Sequence, residues 1–506
     1  MAATAVGAGI LISRLAGLVR TALFAKYLGQ QTDEADAFTA AFRIPNLLQN
    51  LFGEGALSGS FIPVHSALRA RGEERAAAEA ARTFFALLTL AVAIIVLAGM
   101  LAAPWIVPVL APGFSGAKRE LTIRLVRILF PGAGLLVASA WCLAVLNSHR
   151  KFLLSYTAPV AWNAAMIACL LWFGGRTPLD TLAIALAWAS VAGSFLQFAV
   201  QAPIAFSLSR HDGRMTLTEP VRRTIRNFLP VLISRGAVQL TATIDGMIAS
   251  LLPTGAVAAI SNAQLLYTLP VSLFGVSISA AELPAMAGDA TSAAGYDALR
   301  ARIESGLQRL AFFVLPSAVA FAALGDVIAG ALFQRGLFTA EDARYVWGIL
   351  AGSSVGLLAT TMARLYSVAH YAIGDTRRPL NIAIVRLACS TALGYTIAIL
   401  VPPRLGIDPL WGAAGLTLSS GLVGWLEFTL LRNSLNGRIG RTGLPASFTL
   451  RLWVAAIAAA AAGYAVKLLL PPLDPLLRGA VVLPAFGVVY LAIAFALRIP
   501  LPGLRR

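Results

Sequence analysis

Charged residues are scarce in this chain: they make up 12% of its 506 residues, whereas 58% are hydrophobic and the mean hydropathy is +0.78. An ordinary soluble domain has about 25% charged residues, so the composition excludes a soluble globular protein. A membrane-spanning helix needs about 20 mainly apolar residues, and such runs follow one another along the whole sequence. The residue-by-residue alternation of a membrane β-barrel is missing. The composition therefore predicts an all-α polytopic membrane protein.

Cysteine and histidine are also rare, with three and four residues. Cys142, Cys169 and Cys389 stand alone in apolar runs, without CxxC or Cys/His spacing, so we predict neither a disulfide framework nor a metal site. The sequence has no HExxH, P-loop, GxSxG or paired-aspartate motif. We therefore expect no enzyme and no metal cofactor.

Acidic residues are outnumbered by basic ones, 23 to 40, which gives a net charge of +17. The basic residues lie mainly in short loops between apolar runs, where orientation in the membrane explains them better than nucleic acid binding. Alternate loops are rich in arginine, at residues 69–75, 210–226, 300–309, 377–378 and 432–441. By the positive-inside rule both termini lie in the cytoplasm, which requires an even number of spans. The N-terminal apolar run continues through Arg14 and Arg20, so we expect a first helix rather than a signal peptide.

Three short segments recur at a nearly constant distance along the chain. Ser-Arg at residue 13 recurs at residue 234, an offset of 221, and Gly-Leu-Leu at residue 134 recurs at residue 356, an offset of 222. LFGEGALSGSFIPV from Leu51 faces LFGVSISAAELPAM from Leu273, again at 222. Two such copies leave about 64 residues, enough for two more helices. We predict about fourteen helices: two six-helix lobes in parallel repeat, at 1–220 and 221–440, and two additional helices at 441–506.

Polar residues in the second apolar run follow the period of a helix. Asp36 and Glu54 are 18 residues apart, which is five turns, and Arg43 and Asn50 fall close to the same line. We predict one polar helix face across the bilayer, forming a charge network with Glu282, which stands 18 residues after Gln264 in the second repeat. The alternative is a row of ion pairs that joins helices. Charges at this depth are costly and usually mark a functional site.

Two arginines stand in the first apolar run. Arg14 and Arg20 are six residues apart, about 240° around a helix, so they do not share a narrow face. Arginine binds phosphate and carboxylate in bidentate fashion, so arginines around a cavity indicate an anionic substrate. The alternative for Arg20 is an ion pair with Asp36 or Glu54. In the second repeat, Asp245 is a candidate cation or proton site, or else a partner of a nearby arginine.

Several motifs together resemble one known family. SRxxGxxR from Ser13, DAFxxAFRIPNLL from Asp36 and EGALSxxFIPV from Glu54 are similar to the MurJ (MviN) family of lipid II flippases, as are LFQRGLFTAEDA from Leu332 and YAIGDTRRP from Tyr371. The resemblance covers about residues 10 to 440.

The resemblance implies the fold of multidrug/oligosaccharidyl-lipid/polysaccharide (MOP) exporters in the bacterial inner membrane. It implies alternating-access export of the undecaprenyl-diphosphate-linked peptidoglycan precursor, without a cofactor. The partners it implies are this precursor and membrane lipids, with the protein acting as a monomer and the cell-wall synthesis machinery as a candidate partner. The family places a groove for the lipid tail at the two additional helices.

Position by position, the residues that match cavity or motif residues of the family are Arg14, Arg20, Asp36, Asn46 and Glu54. The chain departs from the family at Thr21, usually Asp, at Gln49 and Asn50, usually basic, and at Leu265, usually Arg. Asp245 matches the cation-site aspartate of the family, but Ser390 and Gly394 replace its polar partners, which leaves Na⁺ or H⁺ coupling open. Arg235 and Arg386 are candidates to restore the lost positive charge.

We therefore expect a lipid II flippase in which the substrate is bound by Arg14, Arg20, Asn46, Asn50 and Arg235. The charge network that rearranges during transport consists of Asp36, Arg43, Glu54 and Glu282. The alternatives are a flippase for another polyprenyl-linked saccharide and a cation-coupled drug exporter. A membrane-embedded glycosyltransferase or polymerase would need acidic groups such as Glu341 and Asp342, which lack a partner motif.

Overall fold

The computed structural model describes residues 2–210, 216–291 and 295–500, with side chains in these ranges except at 2–11, 54, 152–153, 233–235, 237–238, 284 and 290–291. The described residues form helices and short connections without a strand. The helices are α1 Ala2–Leu28, α2 Asp33–Phe52, α3 Glu54–Ala70, α4 Glu74–Leu110, α5 Gly116–Ser148, α6 Phe152–Phe173, α7 Leu179–Leu208, α8 Glu219–Ser250, α9 Ala256–Pro270, α10 Ser277–Thr291, α11 Gly295–Phe333, α12 Ala340–Ala372, α13 Arg377–Tyr395, α14 Val401–Leu405, α15 Gly412–Ile439, α16 Ala446–Leu469 and α17 Pro475–Ala496. Two π-helical segments, Val271–Val276 and Thr396–Leu400, join α9 to α10 and α13 to α14.

The all-α membrane fold is confirmed. In the described part of the chain, eleven helical segments are long and apolar enough to cross a membrane. Three further segments fall outside this set: α1, the pair α2 and α3, and α8. These segments carry most of the candidate site residues predicted from the sequence. If each of these three also crosses the membrane, the total is fourteen, so that number stays a prediction.

The chain forms two compact units, unit 1 at Met1–Val257 and unit 2 at Ala258–Arg506. Helix α8, which opens the second sequence repeat, packs in unit 1 against α2, α3 and α4. The last two helices, α16 and α17, pack in unit 2 against α11. There, Lys467 on α16 binds Asp326 on α11 at 2.5 Å. The boundary between compact units therefore falls one helix later than the predicted boundary between sequence repeats.

The second segment of each repeat is interrupted at the same place. In the first repeat α2 ends at Phe52 and α3 begins at Glu54, because Gly53 has an extended backbone with ψ −152°. A Cβ atom on Gly53 would lie 2.2 Å from the Gln49 carbonyl oxygen, so this break requires glycine. At the offset of 222, Gly53 corresponds to Gly275, which lies in the π-helical segment Val271–Val276. The repeat seen in the sequence therefore has a structural counterpart.

These interruptions correct the two predicted polar faces. An unbroken α-helix would align residues 18 apart, but the break at Gly53 separates Asp36 from Glu54. A π-helix turns less per residue than an α-helix, so the segment before α10 shifts the residues that follow it relative to α9. Accordingly Gln264 is exposed, whereas Glu282 is 5% exposed.

Glycines hold α12 and α15 in direct backbone contact. A Cβ atom on Gly356 would lie 2.3 Å from the Cα atom of Gly421, and one on Gly352 would lie 2.6 Å from the Ala414 carbonyl oxygen. Small residues allow helices in a membrane to approach closely, and the gain is van der Waals packing along the crossing. This crossing positions the polar residues that both helices carry in their second halves.

We expect Gly356→Ala to destabilise the protein by about 2 kcal/mol, because the added methyl group meets backbone that has no side chain to move aside. The measurement is the unfolding temperature of the purified protein in detergent. Gly437→Ala on α15 is the matched control, since nothing lies within 4 Å of a Cβ atom there. It should leave stability unchanged or raise it slightly. Equal unfolding temperatures for Gly356→Ala and Gly437→Ala would contradict the packing argument.

Candidate functional site

Asp36 is a buried anchor at the start of α2. Its side chain is 1% exposed and accepts a hydrogen bond from Lys118 Nζ on α5 and one from the Gly255 backbone N–H, each at 2.8 Å. Lys118 also pairs with Asp33 at 3.2 Å, and Asp33 accepts a hydrogen bond from the Thr254 hydroxyl. The network joins α2, α5 and the turn after α8. For Asp36 the alternative of ion pairs between helices is therefore the one observed.

The position of Asp36 follows from local rules. Thr32 caps α2 by accepting a hydrogen bond from the Ala35 backbone N–H at 3.1 Å. Three acidic residues then occupy the first turn, where the helix dipole favours negative charge. Asp36 is the one of these three that points into the protein, and Lys118 compensates its charge.

Arg43, two turns further along α2, lies against α8. A Cβ atom on Gly246 would come within 2.9 Å of Arg43 Nη1, so glycine makes room for the guanidinium group. The charges of Asp245 and Asp36 act on Arg43. Helix α8 then continues antiparallel to α2 and α3, since Gly236 lies near Leu51 and Val231 near Gly59. Arg43 and Asp245 therefore belong to the packing of α2 on α8.

Asn46 and Asn50 lie on the half-exposed face of α2, at i+3 and i+7 from Arg43. Among the described residues, neither amide has a hydrogen-bond partner, whereas the opposite face buries Ala37, Ala41 and Leu48. This face therefore carries free donors and acceptors beside an arginine. The predicted polar face from Asp36 to Glu54 is therefore interrupted: Asp36 is buried in an ion pair, and the helix breaks at Gly53.

Arg20 stacks on an aromatic ring. Its guanidinium carbon lies 4.5 Å from the centroid of Trp162 on α6. Within the ranges whose side chains are described, no carboxylate lies within 4 Å of Arg20. The proposed pairing of Arg20 with Asp36 is wrong, because Lys118 holds Asp36. A cation–π contact stabilises the charge of an arginine without neutralising it. The N–H donors of Arg20 thus stay available to an anion.

Trp162 itself is fixed by three neighbours. Its indole N–H donates to the Ser190 hydroxyl on α7 at 3.2 Å, and its ring lies 5.8 Å from that of Phe42 on α2. A Cβ atom on Gly193 would lie 3.0 Å from the ring, so glycine is needed there. Trp162 is not among the site residues predicted from the sequence. Its only signal was a Trp-Asn pair inside an otherwise apolar run.

The other site residues predicted from the sequence are less well defined. Arg14 is exposed on α1. The side chains of Arg235 and Glu54 lie outside the described residues. Asp245 is half-buried on α8. The part of the chain that the structure describes contains no group of three or more His, Cys, Asp or Glu residues able to hold a metal ion.

In unit 2 two glutamates inside candidate membrane spans, Glu282 and Glu427, form ion pairs. Glu282 on α10 binds Arg309 at 3.0 Å and Arg302 at 3.4 Å, both on α11. Arg386 on α13 donates to Glu427 on α15 at 2.6 Å. Glu282 therefore joins two neighbouring helices rather than continuing a polar face from Gln264.

One member of the acidic pair considered for an enzyme, Asp342, stabilises the start of a helix. Asp342 forms a capping box with Thr339 at the start of α12: its carboxylate accepts from the Thr339 backbone N–H at 2.8 Å, and its own N–H donates to the Thr339 hydroxyl at 3.3 Å. Such a box stabilises the first turn of a helix. Asp342 is 3% exposed, which removes it from any catalytic surface pair with the exposed Glu341.

An apolar cavity of about 480 Å³ lies between α9, the following π-helical segment, α11 and α17 in unit 2. Leu269, Phe313, Phe321 and Leu491 are among its lining residues. Its walls offer almost no polar atoms, so the cavity suits a hydrocarbon chain.

Comparisons with known proteins agree on one family. The family model described as "Lipid II flippase MurJ" matches residues 24–472. A probable lipid II flippase MurJ of Rhizobium tropici is 31% identical over 98% of this chain and 91% of its own length. The lipid II flippase MurJ of Burkholderia cenocepacia is 30% identical over 85% of this chain and 82% of its own length.

Solved structures of similar fold include "Lipid II flippase MurJ, inward closed conformation", with a TM-score of 0.77 at 21% identity over 97% of this chain and 98% of that chain. An inward-facing MATE family transporter of the MOP superfamily has a TM-score of 0.66 at 17% identity, over 84% of this chain and 96% of that one. At these identities, the likeness supports the fold alone.

We expect Lys118→Met to destabilise the protein by about 3 kcal/mol, because it leaves the Asp36 carboxylate buried without its cation. Thermal unfolding in detergent measures the loss. Adding Asp36→Asn should recover part of it, since the double variant no longer buries a charge. Arg119→Met, an exposed neighbour on the same turn of α5, is the control and should change stability by less than about 0.5 kcal/mol. A Lys118→Met variant as stable as Arg119→Met would show that the pair does not anchor α2.

Proposed function

The chain belongs to the MurJ family of lipid II flippases, and we propose that Arg20 is the main contact of unit 1 with the diphosphate of lipid II. The protein moves lipid II, a peptidoglycan precursor, across the inner membrane. What the proposal adds is the part played by individual residues. Arg20 is assigned to the phosphates, Arg14 and Arg235 assist it, and Asn46 and Asn50 bind sugar or peptide groups.

The observation that carries this proposal is the stacking of Arg20 on Trp162, with no carboxylate within 4 Å among the side chains that the structure describes. Arg43 lies in the field of two aspartates, and Arg386 donates to Glu427, so part of their charge is already compensated. Arg20 stacks on an uncharged ring, so its positive charge and the parallel N–H donors of its guanidinium group both remain available. Bidentate contact with a phosphate needs both.

Asn46 and Asn50 support the proposal from α2. They are one turn apart, half-exposed and without hydrogen-bond partners among the described residues. Amide side chains offer two donors and an acceptor, which matches the hydroxyl and amide groups of a disaccharide-pentapeptide. The basic residues usual in the family are missing here, so recognition by α2 relies on hydrogen bonds rather than charge.

The apolar cavity of unit 2 is the proposed site for part of the polyprenyl chain. It is lined by aromatic and aliphatic side chains from α9, α11 and α17. Burial of each CH₂ group contributes about 0.8 kcal/mol, so even a few isoprene units would add substantially to binding.

Transport by alternating access requires the charge network to exchange partners. Lys118 has two acidic partners, Asp33 and Asp36, and the Thr254–Gly255 turn binds both acids. A small shift of this turn would change which acid Lys118 neutralises. We assign this rearrangement to Asp36 and Arg43, with Glu54 and Glu282 as the further members that the sequence predicts.

Ion coupling is proposed to depend on Asp245. Its neighbour Gly246 lies against the Arg43 guanidinium group, so a Na⁺ or H⁺ bound at Asp245 would lie close to Arg43. This proximity links the candidate cation site to the proposed charge network. Both termini are proposed to lie in the cytoplasm, and the protein is proposed to act as a monomer.

We expect Arg20→Ala to abolish complementation of a strain depleted of its own lipid II flippase and to weaken lipid II binding by the purified protein at least tenfold. Trp162→Phe should retain most binding, because a ring remains under the guanidinium group. Trp162→Ala should weaken binding about fivefold, in line with the loss of a desolvated cation–π contact.

Arg124→Ala, an exposed arginine on α5, is the control and should behave as the unchanged protein. Membrane insertion and size-exclusion profiles of all variants establish that they fold. If Arg20→Ala is folded and binds lipid II with unchanged affinity, Arg20 does not hold the diphosphate.

A further inference from the structure

Four helices of unit 2 bring polar residues together away from the pairs already described. We call this group the unit 2 arginine cluster: Tyr267 on α9, Thr360 and Arg364 on α12, Arg386 on α13 and Glu427 on α15. The Tyr267 hydroxyl lies near Thr360, Arg364, Arg386 and Glu427. Neither Arg364 nor Tyr267 is among the substrate-binding residues predicted from the sequence.

Both arginines of the cluster lie inside candidate membrane spans, since α12 and α13 belong to the segments that are long and apolar enough to cross a membrane. At 1.5 Å per residue, Arg364 is about 12 Å before the end of α12 at Ala372, and Arg386 is about 14 Å after the start of α13 at Arg377. Each position is therefore about two helical turns or more from the end of its helix.

The charges of the cluster do not cancel. Arg386 donates to Glu427 at 2.6 Å, and the two side chains are 27% and 13% exposed. Arg364 is exposed on unit 2 and, within the described part of the chain, has no carboxylate within 4 Å. Two arginines against one glutamate leave a surplus of one positive charge. An arginine without a carboxylate partner inside a membrane-spanning segment is a candidate functional residue.

Close packing holds the cluster in place. A Cβ atom on Gly424 would lie 3.1 Å from the Thr360 hydroxyl, so α15 approaches α12 one turn from both Arg364 and Glu427. The Trp425 indole N–H donates to the Val355 carbonyl oxygen at 2.8 Å across the same crossing. The geometry around Arg364 is therefore set before any ligand arrives, and such preorganisation favours binding.

We propose that this cluster is a second anion-binding site, in which Arg364 binds the diphosphate of the lipid-linked substrate and the Arg386–Glu427 pair fixes its orientation. The inference rests on the proposed function, since it assumes the same substrate. It assigns to unit 2 an arginine on α12, in place of the one that the family usually has at Leu265. The Tyr267 hydroxyl, next to the arginines, is the second donor for a phosphate oxygen.

The test compares the binding of undecaprenyl diphosphate and undecaprenol to the full-length protein in detergent. Arg364→Gln should weaken diphosphate binding about tenfold and leave undecaprenol binding unchanged, because only the charged ligand uses the guanidinium group. Arg364→Lys should weaken diphosphate binding about threefold, because an ammonium group keeps the positive charge but lacks the paired N–H donors of a guanidinium group. Arg344→Gln on the same helix, also exposed, is the matched control and should bind both ligands normally.

A further variant is expected to strengthen diphosphate binding rather than weaken it. Glu427→Gln removes the carboxylate that holds Arg386, so it should tighten diphosphate binding about threefold. A folded Arg364→Gln variant that keeps the full preference for diphosphate would overturn the second site. So would competition by phosphatidylglycerol vesicles that depends on Arg364, because it would identify the ligand as a lipid headgroup. If the unchanged protein shows no preference for diphosphate over undecaprenol, the proposed function itself fails.

Discussion

The cost of placing charge in hydrocarbon is the constraint on which this structure depends. Each charged side chain at membrane depth needs a partner, and the partners observed are of two kinds. Asp36, Glu282 and Glu427 have basic partners on neighbouring helices, and these pairs hold helices together. Arg20 has a tryptophan ring, and Arg364 has no carboxylate within 4 Å among the described residues. This difference separates arginines that join helices from arginines that are open to an anionic substrate.

A second constraint is the interruption of one helix in each repeat. Gly53 and Gly275 occupy equivalent positions, yet one forms a break and the other lies within a π-helical segment. In the first repeat the break frees α3 to pack on α8 and α5, while α2 keeps Asn46 and Asn50 half-exposed. Irregular backbone at membrane depth is tolerated where protein or water satisfies its polar groups. The shared interruption thus allows one segment to serve both packing and binding.

Much of the fold was predictable from the sequence, because it depends on local composition and repetition. The apolar runs gave the all-α membrane fold, the offset of 222 gave the repeat, and the motif from Asp36 gave the family. The pairings were not predictable, since Lys118 is 82 residues from Asp36 and Trp162 is far from Arg20 along the chain. Helical periodicity also fails across Gly53, because a strict count of turns assumes an unbroken helix.

The replacement of an arginine by Leu265 has a different consequence from the one the sequence suggested. The sequence predicts Arg235 or Arg386 as the replacement for the missing positive charge, yet the helix that carries Arg235 packs in unit 1. In unit 2 Arg386 is already held by Glu427. The surplus positive charge is therefore on α12, at Arg364, and α9 contributes Tyr267, two residues after Leu265. An anion site can therefore persist although α9 has Leu265 in place of an arginine. In this arrangement α12 supplies the positive charge, and α9 keeps a hydrogen-bond donor.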